Sequence, residues 1–277
     1  MNQSSEVSQE TTRRWAPSPL LYGSAALHMG AAVTALLRPA AWPWALGAVA
    51  VNHMVLAATG LWPRSHWLGP NWTQLPECNG AVVSVTIDDG PDPKVTPQVL
   101  DILERHRALA TFFCVGERVL EHADIAQEIV RRGHAIENHS QRHRHNFSLL
   151  GPKSMGAEIA RAQDSIERVT GLTPRFFRAP AGLRNPFLDP VLSHLNLTLA
   201  SWTRRGFDTV DRDPETVLDR LTDGLAARDI LLLHDGHAAR NAAGRPVILE
   251  VLPALLDALK LQQLETITLR AALVEPP

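Results

Sequence analysis

Five short runs place acids, histidines and an arginine where an apolar stretch gives way to a loop. TIDDGPDP sets Asp88 and Asp89 side by side before a Gly-Pro turn. Adjacent carboxylates point in different directions, so one can hold a metal while the other addresses the attacking water. Two solvated acids in a turn are the plainer alternative. ENHSQRHRH puts His139 and His143 four apart. On one helical turn that spacing projects both imidazoles from the same face, as two nitrogen ligands of a divalent ion need. His145 would face away on such a turn, as a neighbour supporting the ligands or as a residue unrelated to them, and a histidine-rich loop without a ligand is the alternative for the whole segment. Two histidines and one strand-end carboxylate leave positions for water and substrate, as a hydrolytic metal site requires.

The other three runs are FFRAPAG, SWTRRGFD and ILLLHDG. Arg178, emerging beside aspartates, should hold one carboxylate charged. His234, after four apolar residues, is a natural proton donor if an aspartate such as Asp208 supports its other ring nitrogen. Each has a structural alternative: Arg178 as a salt bridge at the core edge, Asp208 as a turn before a helix, and His234 as a satisfied strand-end histidine.

These runs are positioned by an alternation of strand-length apolar segments and amphipathic helices from residue 81 onward. Strands are expected at 81–88, 110–115, 134–138, 175–178, 198–202, 230–234 and 266–269. Helices are expected at 96–106, 125–132, 153–169, 186–194, 214–227 and 247–261, with Thr96 and Asp213 as caps. Repeated βα units demand a parallel sheet covered by helices, either an open layer or a closed barrel. The polar clusters sit at the C-terminal ends of strands far apart in sequence, and only a sheet that closes brings all those ends to one mouth.

The chain of 277 residues suits one large α/β domain. Its net charge of −2, from 27 Lys+Arg against 29 Asp+Glu, argues against nucleic acid as partner. The two cysteines, Cys78 and Cys114, read as unpaired thiols. Six of the seven tryptophans precede residue 73, where two runs, 20–37 and 41–62, carry no formal charge. Each is long enough to cross about 30 Å of hydrocarbon, and bracketing indoles suit the headgroup zone. A membrane hairpin follows, with His28, Asn52 and His53 turned toward the partner helix; a cleaved signal peptide or a soluble helix pair are the alternatives. Arg13, Arg14 and Arg64 outnumber Arg38 in the turn, which places the catalytic domain on the cytoplasmic face of a bacterial-type inner membrane. The expected organisation is a tail at 1–19, two membrane helices at 20–63, a linker at 64–80 and a catalytic domain at 81–277.

In order and spacing the motifs resemble those of the polysaccharide deacetylase family (carbohydrate esterase family 4, the NodB-homology domain). The matching runs are TIDDGP, His139-Ser140-Gln141-Arg142-His143, Arg178-Ala179-Pro180-Ala181-Gly182 and Leu232-Leu233-His234. The resemblance implies a distorted (β/α) barrel with seven strands. Two departures stand out: Ala181 replaces a frequent tyrosine, and the Asp-x-x-Asp-Trp motif survives only as Asp208, with Arg205 and Thr209 at the outer positions. A polymer-gripping surface is therefore not expected.

By this resemblance the chain is a hydrolase that removes an N-acyl group, acetyl by preference, from an amino sugar. Asp89, His139 and His143 would bind a divalent metal, zinc first, with Co2+, Mn2+ or Ni2+ as alternatives. Asp88 would be the base oriented by Arg178, and His234, oriented by Asp208, would protonate the departing amine. The Ala181 N–H would serve the oxyanion and Leu232 the acyl pocket, with Pro180, Gly182, Trp202, Arg204 and Arg205 flanking the substrate. Arg142, Arg144, Arg184, Arg204, Arg205, Arg240 and Arg245 would surround the mouth, where guanidinium forks suit phosphate. That favours an amino sugar on a phosphate-bearing membrane lipid over a free envelope polysaccharide. A metal phosphoesterase and a silent sugar-lipid binding protein are the readings from other classes.

Overall fold

The computed structural model describes residues 14–77 and 80–273; Arg13 and Cys78 lie outside them. Two helices, α1 (Pro19–Leu37) and α2 (Trp42–Leu61), form a hairpin around a short turn at Pro39–Ala41. Each is long and apolar enough to cross a membrane. Four of their polar side chains meet between them. Asn52 Nδ2 donates to Ser24 Oγ at 2.8 Å, and the rings of His28 and His53 meet edge to face at 5.2 Å.

The rest is a parallel sheet with helices outside it. Its strands are β1 (Val82–Asp88), β2 (Ala110–Cys114), β3 (Ala135–Asn138), β4 (Phe176–Phe177), β5 (Thr198–Leu199), β6 (Arg204–Arg205), β7 (Ile230–His234) and β8 (Glu265–Thr266). The hydrogen-bonded order is β5-β4-β3-β2-β1-β7-β6, with β8 pairing the start of β1. Strand β1 is buried along its whole length, the signature of a parallel strand covered on both faces. All seven expected strands are present; β6, two arginines long, carries no apolar signal and was not expected.

The sheet curls without direct pairing between β5 and β6. The segment before β1 closes that side by joining the end of β5 to the residues that lead into β7. Trp72 N–H donates to Leu199 O at 2.9 Å and Trp72 O accepts from Ser201 N–H at 2.8 Å, while Leu75 N–H donates to Arg228 O at 2.9 Å. Residues expected to be a linker are thus part of the barrel wall, held by backbone bonds that composition cannot show.

The covering helices are α3 (Thr96–His106), α4 (Gly116–Glu121), α5 (Ala123–Arg131), α6 (Pro152–Thr170), α7 (Leu188–His194), α8 (Pro214–Thr222) and α9 (Ile248–Leu261). Their apolar faces pack on the sheet around Val85, Ile87, Phe112, Leu231 and Leu252, all fully buried. Gly171 ends α6 in the left-handed conformation at φ 74°, where a side chain would be strained. Asp213 caps α8 by accepting from Thr216 N–H, as expected. Thr96 does not cap α3: it is the first helical residue, and its hydroxyl reaches Asp235 Oδ2 at 2.5 Å instead. Cys114 is a buried free thiol.

Candidate active site and metal centre

Strand β1 ends in Asp88, and the chain turns sharply at Asp89, which takes φ 74°. This left-handed step sends the two carboxylates different ways. Asp88 Oδ1 accepts from Arg178 Nη1 at 2.6 Å. Arg178 is 1 % exposed, and its guanidinium is further held by Thr86 Oγ1 and the carbonyls of Ala200 and Ser201, with Cζ 4.1 Å from the centre of the Phe113 ring. Such a saturated fork fixes one oxygen of Asp88 and leaves the other, Oδ2, 3.8 Å from His139 Nε2.

His139 and His143 do converge, with ring centroids 4.8 Å apart. The cause is not a helical turn, which the sequence spacing suggested. The segment is a loop in which Ser140 and His143 both have positive φ, at 66° and 48°. Asp89, Ser140, His143 and Ala181 (φ 54°) are all strained non-glycine residues beside one cavity, a concentration characteristic of functional sites.

Asp89, His139 and His143 offer one ligand atom each within 4.8 Å of one another. His139 Nδ1 donates to Arg178 O at 2.8 Å, so its Nε2 presents a lone pair. That Nε2 lies 3.2 Å from Asp89 Oδ1, and His143 Nε2 lies 3.1 Å from the same oxygen. Asp89 Oδ1 is buried with no hydrogen-bond partner. Lone pairs facing one another in a buried site repel unless a cation lies among them, so these residues fit a divalent ion. Their charge states suit it too. Burial would raise the Asp89 carboxyl, but His139, His237 and His234 around it hold it far below the usual carboxylate range. Burial and the neighbouring His139 push His143 down to about 4, leaving a neutral imidazole.

His234, at the end of β7, is 6 % exposed and bound to Asp208 twice: Nδ1 to Oδ1 at 2.8 Å and backbone N–H to Oδ2 at 2.7 Å. Burial opposes its charged form, yet the Asp208 carboxylate outweighs that and raises His234 to about 9.

These groups line a cavity of about 210 Å³ together with Ala181, Gly182, Trp202, Arg205 and Leu232. That is below the ~300–1,000 Å³ of pockets that swallow a drug-sized ligand, so it has room for one end of a larger molecule and not for the whole of it. Arg178 and Asp208 stand behind the wall, and Pro180 is buried next to it. Arg204 is a correction: its guanidinium turns away onto Asp229 and the carbonyls of Asp223 and Gly224. Arg184 is buried against Ser65 O, and Arg142 pairs with Glu117. The expected ring of arginines is incomplete: Arg205 lines the cavity, and Arg142 lines an adjoining one with His143, His145 and His237.

Two residues carry no expectation from the sequence, His237 and Asp235, and a third, His145, is turned otherwise than expected. His237 Nδ1 donates to Asp89 Oδ2 at 2.9 Å, fixing the oxygen that does not face the histidine pair. The signal was its place three residues after His234 in HDGH. His145 lines the cavity and does not face away, because the loop is not helical. Asp235 lies buried beneath the Asp89–Gly90 turn, where burial pushes it up to about 7.

A polysaccharide deacetylase family model matches residues 77–200. The chitooligosaccharide deacetylase of Azorhizobium caulinodans is 34% identical over 166 residues, which cover 60% of this chain and 79% of that relative. The chain belongs to the polysaccharide deacetylase family. Among other polysaccharide deacetylases, the peptidoglycan-N-acetylmuramic acid deacetylase PdaC of Bacillus subtilis is 30% identical over 68% of this chain; the match spans only 40% of PdaC's own length. The PdaC structure superposes with a TM-score of 0.62 at 27% identity, covering 71% of this chain and 92% of that one. A family 4 pseudoenzyme from Bacillus anthracis superposes with a TM-score of 0.65 at 23% identity, covering 73% and 68%. Its likeness concerns the polysaccharide deacetylase fold alone, so catalysis has to be argued from the side chains.

Proposed function

We propose that this polysaccharide deacetylase is a membrane-anchored, metal-dependent hydrolase that removes the N-acetyl group from an amino sugar of the cell envelope. The carrying observation is the partnerless Asp89 Oδ1 facing the Nε2 atoms of His139 and His143, with Asp88 alongside. Among the described residues this is one three-ligand group, whereas a phosphoesterase of this kind would need a second.

Asp89, His139 and His143 would hold a divalent ion, zinc first by donor type with cobalt, manganese or nickel as alternatives, and when bound it would polarise the amide carbonyl and lower the pKa of water toward ~7. Asp88, oriented by Arg178, takes the proton of the attacking water. The Ala181 N–H supports the developing oxyanion, and Leu232 limits the acyl pocket to a small group. His234, held by Asp208, protonates the departing amine. Trp202, Gly182 and Arg205 hold the sugar against the cavity mouth.

The anchor reading rests on length and on tryptophan. Helices α1 and α2, of 19 and 20 residues, extend about 28–30 Å. Trp42 and Trp44 are exposed at the hairpin turn, and Trp15 and Trp62 at the opposite end, matching two interfacial belts.

Because His234 acts as an acid, activity is lost as pH rises through its pKa of about 9. Removing the carboxylate in Asp208→Asn leaves burial as the dominant influence, so the high-pH limb of kcat/KM moves down to the ordinary histidine range near ~6.5 or below. The same linkage makes the pair's stabilisation complete below ~6.5 and lost as pH rises through about 9 in the native protein. An unshifted limb in the variant would remove His234 from this role.

The deciding assay uses the full chain in detergent micelles, with acetate release followed from N-acetylglucosamine oligomers and from peptidoglycan fragments. Chelation is expected to abolish release, and a divalent ion to restore it. Release of inorganic phosphate from phosphoesters in place of acetate would overturn the proposal.

A further inference from the structure

The end of α2 is built into the rim of the cavity. Gly60 O accepts from Arg184 N–H at 3.1 Å. The approach is so close that a Cβ on Gly60 would lie 2.2 Å from Arg184 O. Two residues beyond the helix, Pro63 presses on the cavity-lining Gly182, where an added Cβ would meet Pro63 Cβ at 2.7 Å. Pro63 O accepts from Ser201 Oγ at 2.8 Å and Asn71 Nδ2 at 2.9 Å, and Arg64 Nη1 donates to Thr203 O at 3.0 Å. The helix pair therefore leaves the domain at the C-terminal ends of the strands, through a joint with no slack chain in it.

The surface around this joint is apolar. Ser18, capping α1, donates to Trp67 O at 2.7 Å, so the start of α1 meets the segment that follows α2. Trp62 and Trp67 are 56 % and 57 % exposed. Next to Arg184, Asn185 donates to the carbonyls of Ser148 and Leu150, which brings Leu149, 83 % exposed, and Phe187, 47 % exposed, to the same side. Exposed apolar side chains continuous with two span-length helices mark a surface that meets lipid.

Distance sharpens this. If α2 ends at the hydrocarbon boundary with Trp62 among the headgroups, a residue two further on lies within the polar layer, which is only about 5–8 Å deep on each side. Pro63 is at that depth and touches the cavity wall. We infer that the catalytic domain is docked with its cavity mouth on the bilayer surface, so that its substrate is an amino sugar carried by a membrane amphiphile. The inference rests on α1 and α2 spanning the membrane, as proposed above. A glycan free in water has to enter beneath the domain, whereas a lipid-borne headgroup diffuses laterally to the mouth.

Two measurements on the full chain in phospholipid vesicles test it. On a Cys78→Ser background, with Cys114 buried, a nitroxide is attached at Leu149→Cys, Phe187→Cys and Leu261→Cys in turn. Leu261 ends α9 at the opposite end of the barrel, where β8 pairs with the start of β1. Collision with oxygen relative to a water-soluble nickel chelate is expected to be severalfold higher at positions 149 and 187 than at 261. Equal ratios at all three, or protein that does not float with the vesicles, overturn the docking. Acetate release is then compared between N-acetylglucosamine linked through phosphate to a long alkyl chain in the same vesicles and N-acetylglucosamine oligomers in solution. Faster release from the vesicle-borne sugar is expected, and faster release from the soluble oligomers overturns the substrate class while leaving the deacetylase reading intact. Release from neither sinks the deacetylase reading, and the nitroxide ratios still decide where the mouth lies.

Discussion

Asp88→Asn is expected to lower kcat by roughly 10²–10⁴-fold while the protein keeps its metal, the range typical for loss of a general base. At ~1.36 kcal/mol per decade this is about 3–5 kcal/mol of transition-state stabilisation. The variant is close to isosteric, so an amide oxygen can still accept from Arg178 Nη1 where Asp88 Oδ1 does now, at 2.6 Å. The buried guanidinium also keeps its bonds to Thr86, Ala200 and Ser201, which limits the structural damage. What disappears is the second oxygen's ability to take a proton beside the His139 and Asp89 ligand atoms. Kinetics with parallel metal analysis separates the roles. Unchanged turnover would refute Asp88 as base, and loss of metal with turnover would make it a ligand.

His139→Ala is expected to take the metal content from about one ion per chain toward none, and activity with it. The imidazole is 2 % exposed, its Nδ1 is locked by Arg178 O, and its Nε2 is aimed at Asp89 Oδ1. Removal leaves Asp89 and His143 as the remaining ligands and a void behind them. Loss of an outer partner of a metal ligand typically costs ~10–100-fold in affinity, and loss of a ligand itself costs more. Elemental analysis after gel filtration reads the outcome directly. Retention of the ion at the native stoichiometry would show that His139 is not a ligand.

Residue types and strand-end positions were enough to single out Asp88, Asp89, His139, His143, Arg178, Asp208 and His234, because chemistry-bearing residues after apolar runs are visible in one dimension. The reason first given for the histidine pair was wrong. Four-residue spacing suggested a helix turn, but two left-handed loop residues, Ser140 and His143, bring the rings together. The same error of local geometry hid His145. His237 was overlooked because its importance lies in a contact with Asp89, 148 positions away. The arginine cluster was overread: counting guanidinium groups near strand ends says nothing about which way each side chain turns, and Arg184 and Arg204 turn into the protein.

The sequence by itself determined the alternation of strands and helices, the parallel sheet, the apolar helix pair and the family. All of these follow from periodicity and motif order, which are local properties of the chain. Only the tertiary structure decided that Trp72–Leu75 joins the end of β5 to the residues leading into β7, with β5 and β6 unpaired, and that Asp89 is flanked by His237 as well as by the histidine pair. It alone decided that Gly60 and Pro63 lock the helix pair to the cavity rim. Each of these is a contact between segments distant in sequence. Its energy comes from desolvation and close packing at the point of meeting, and neither segment carries a trace of it alone.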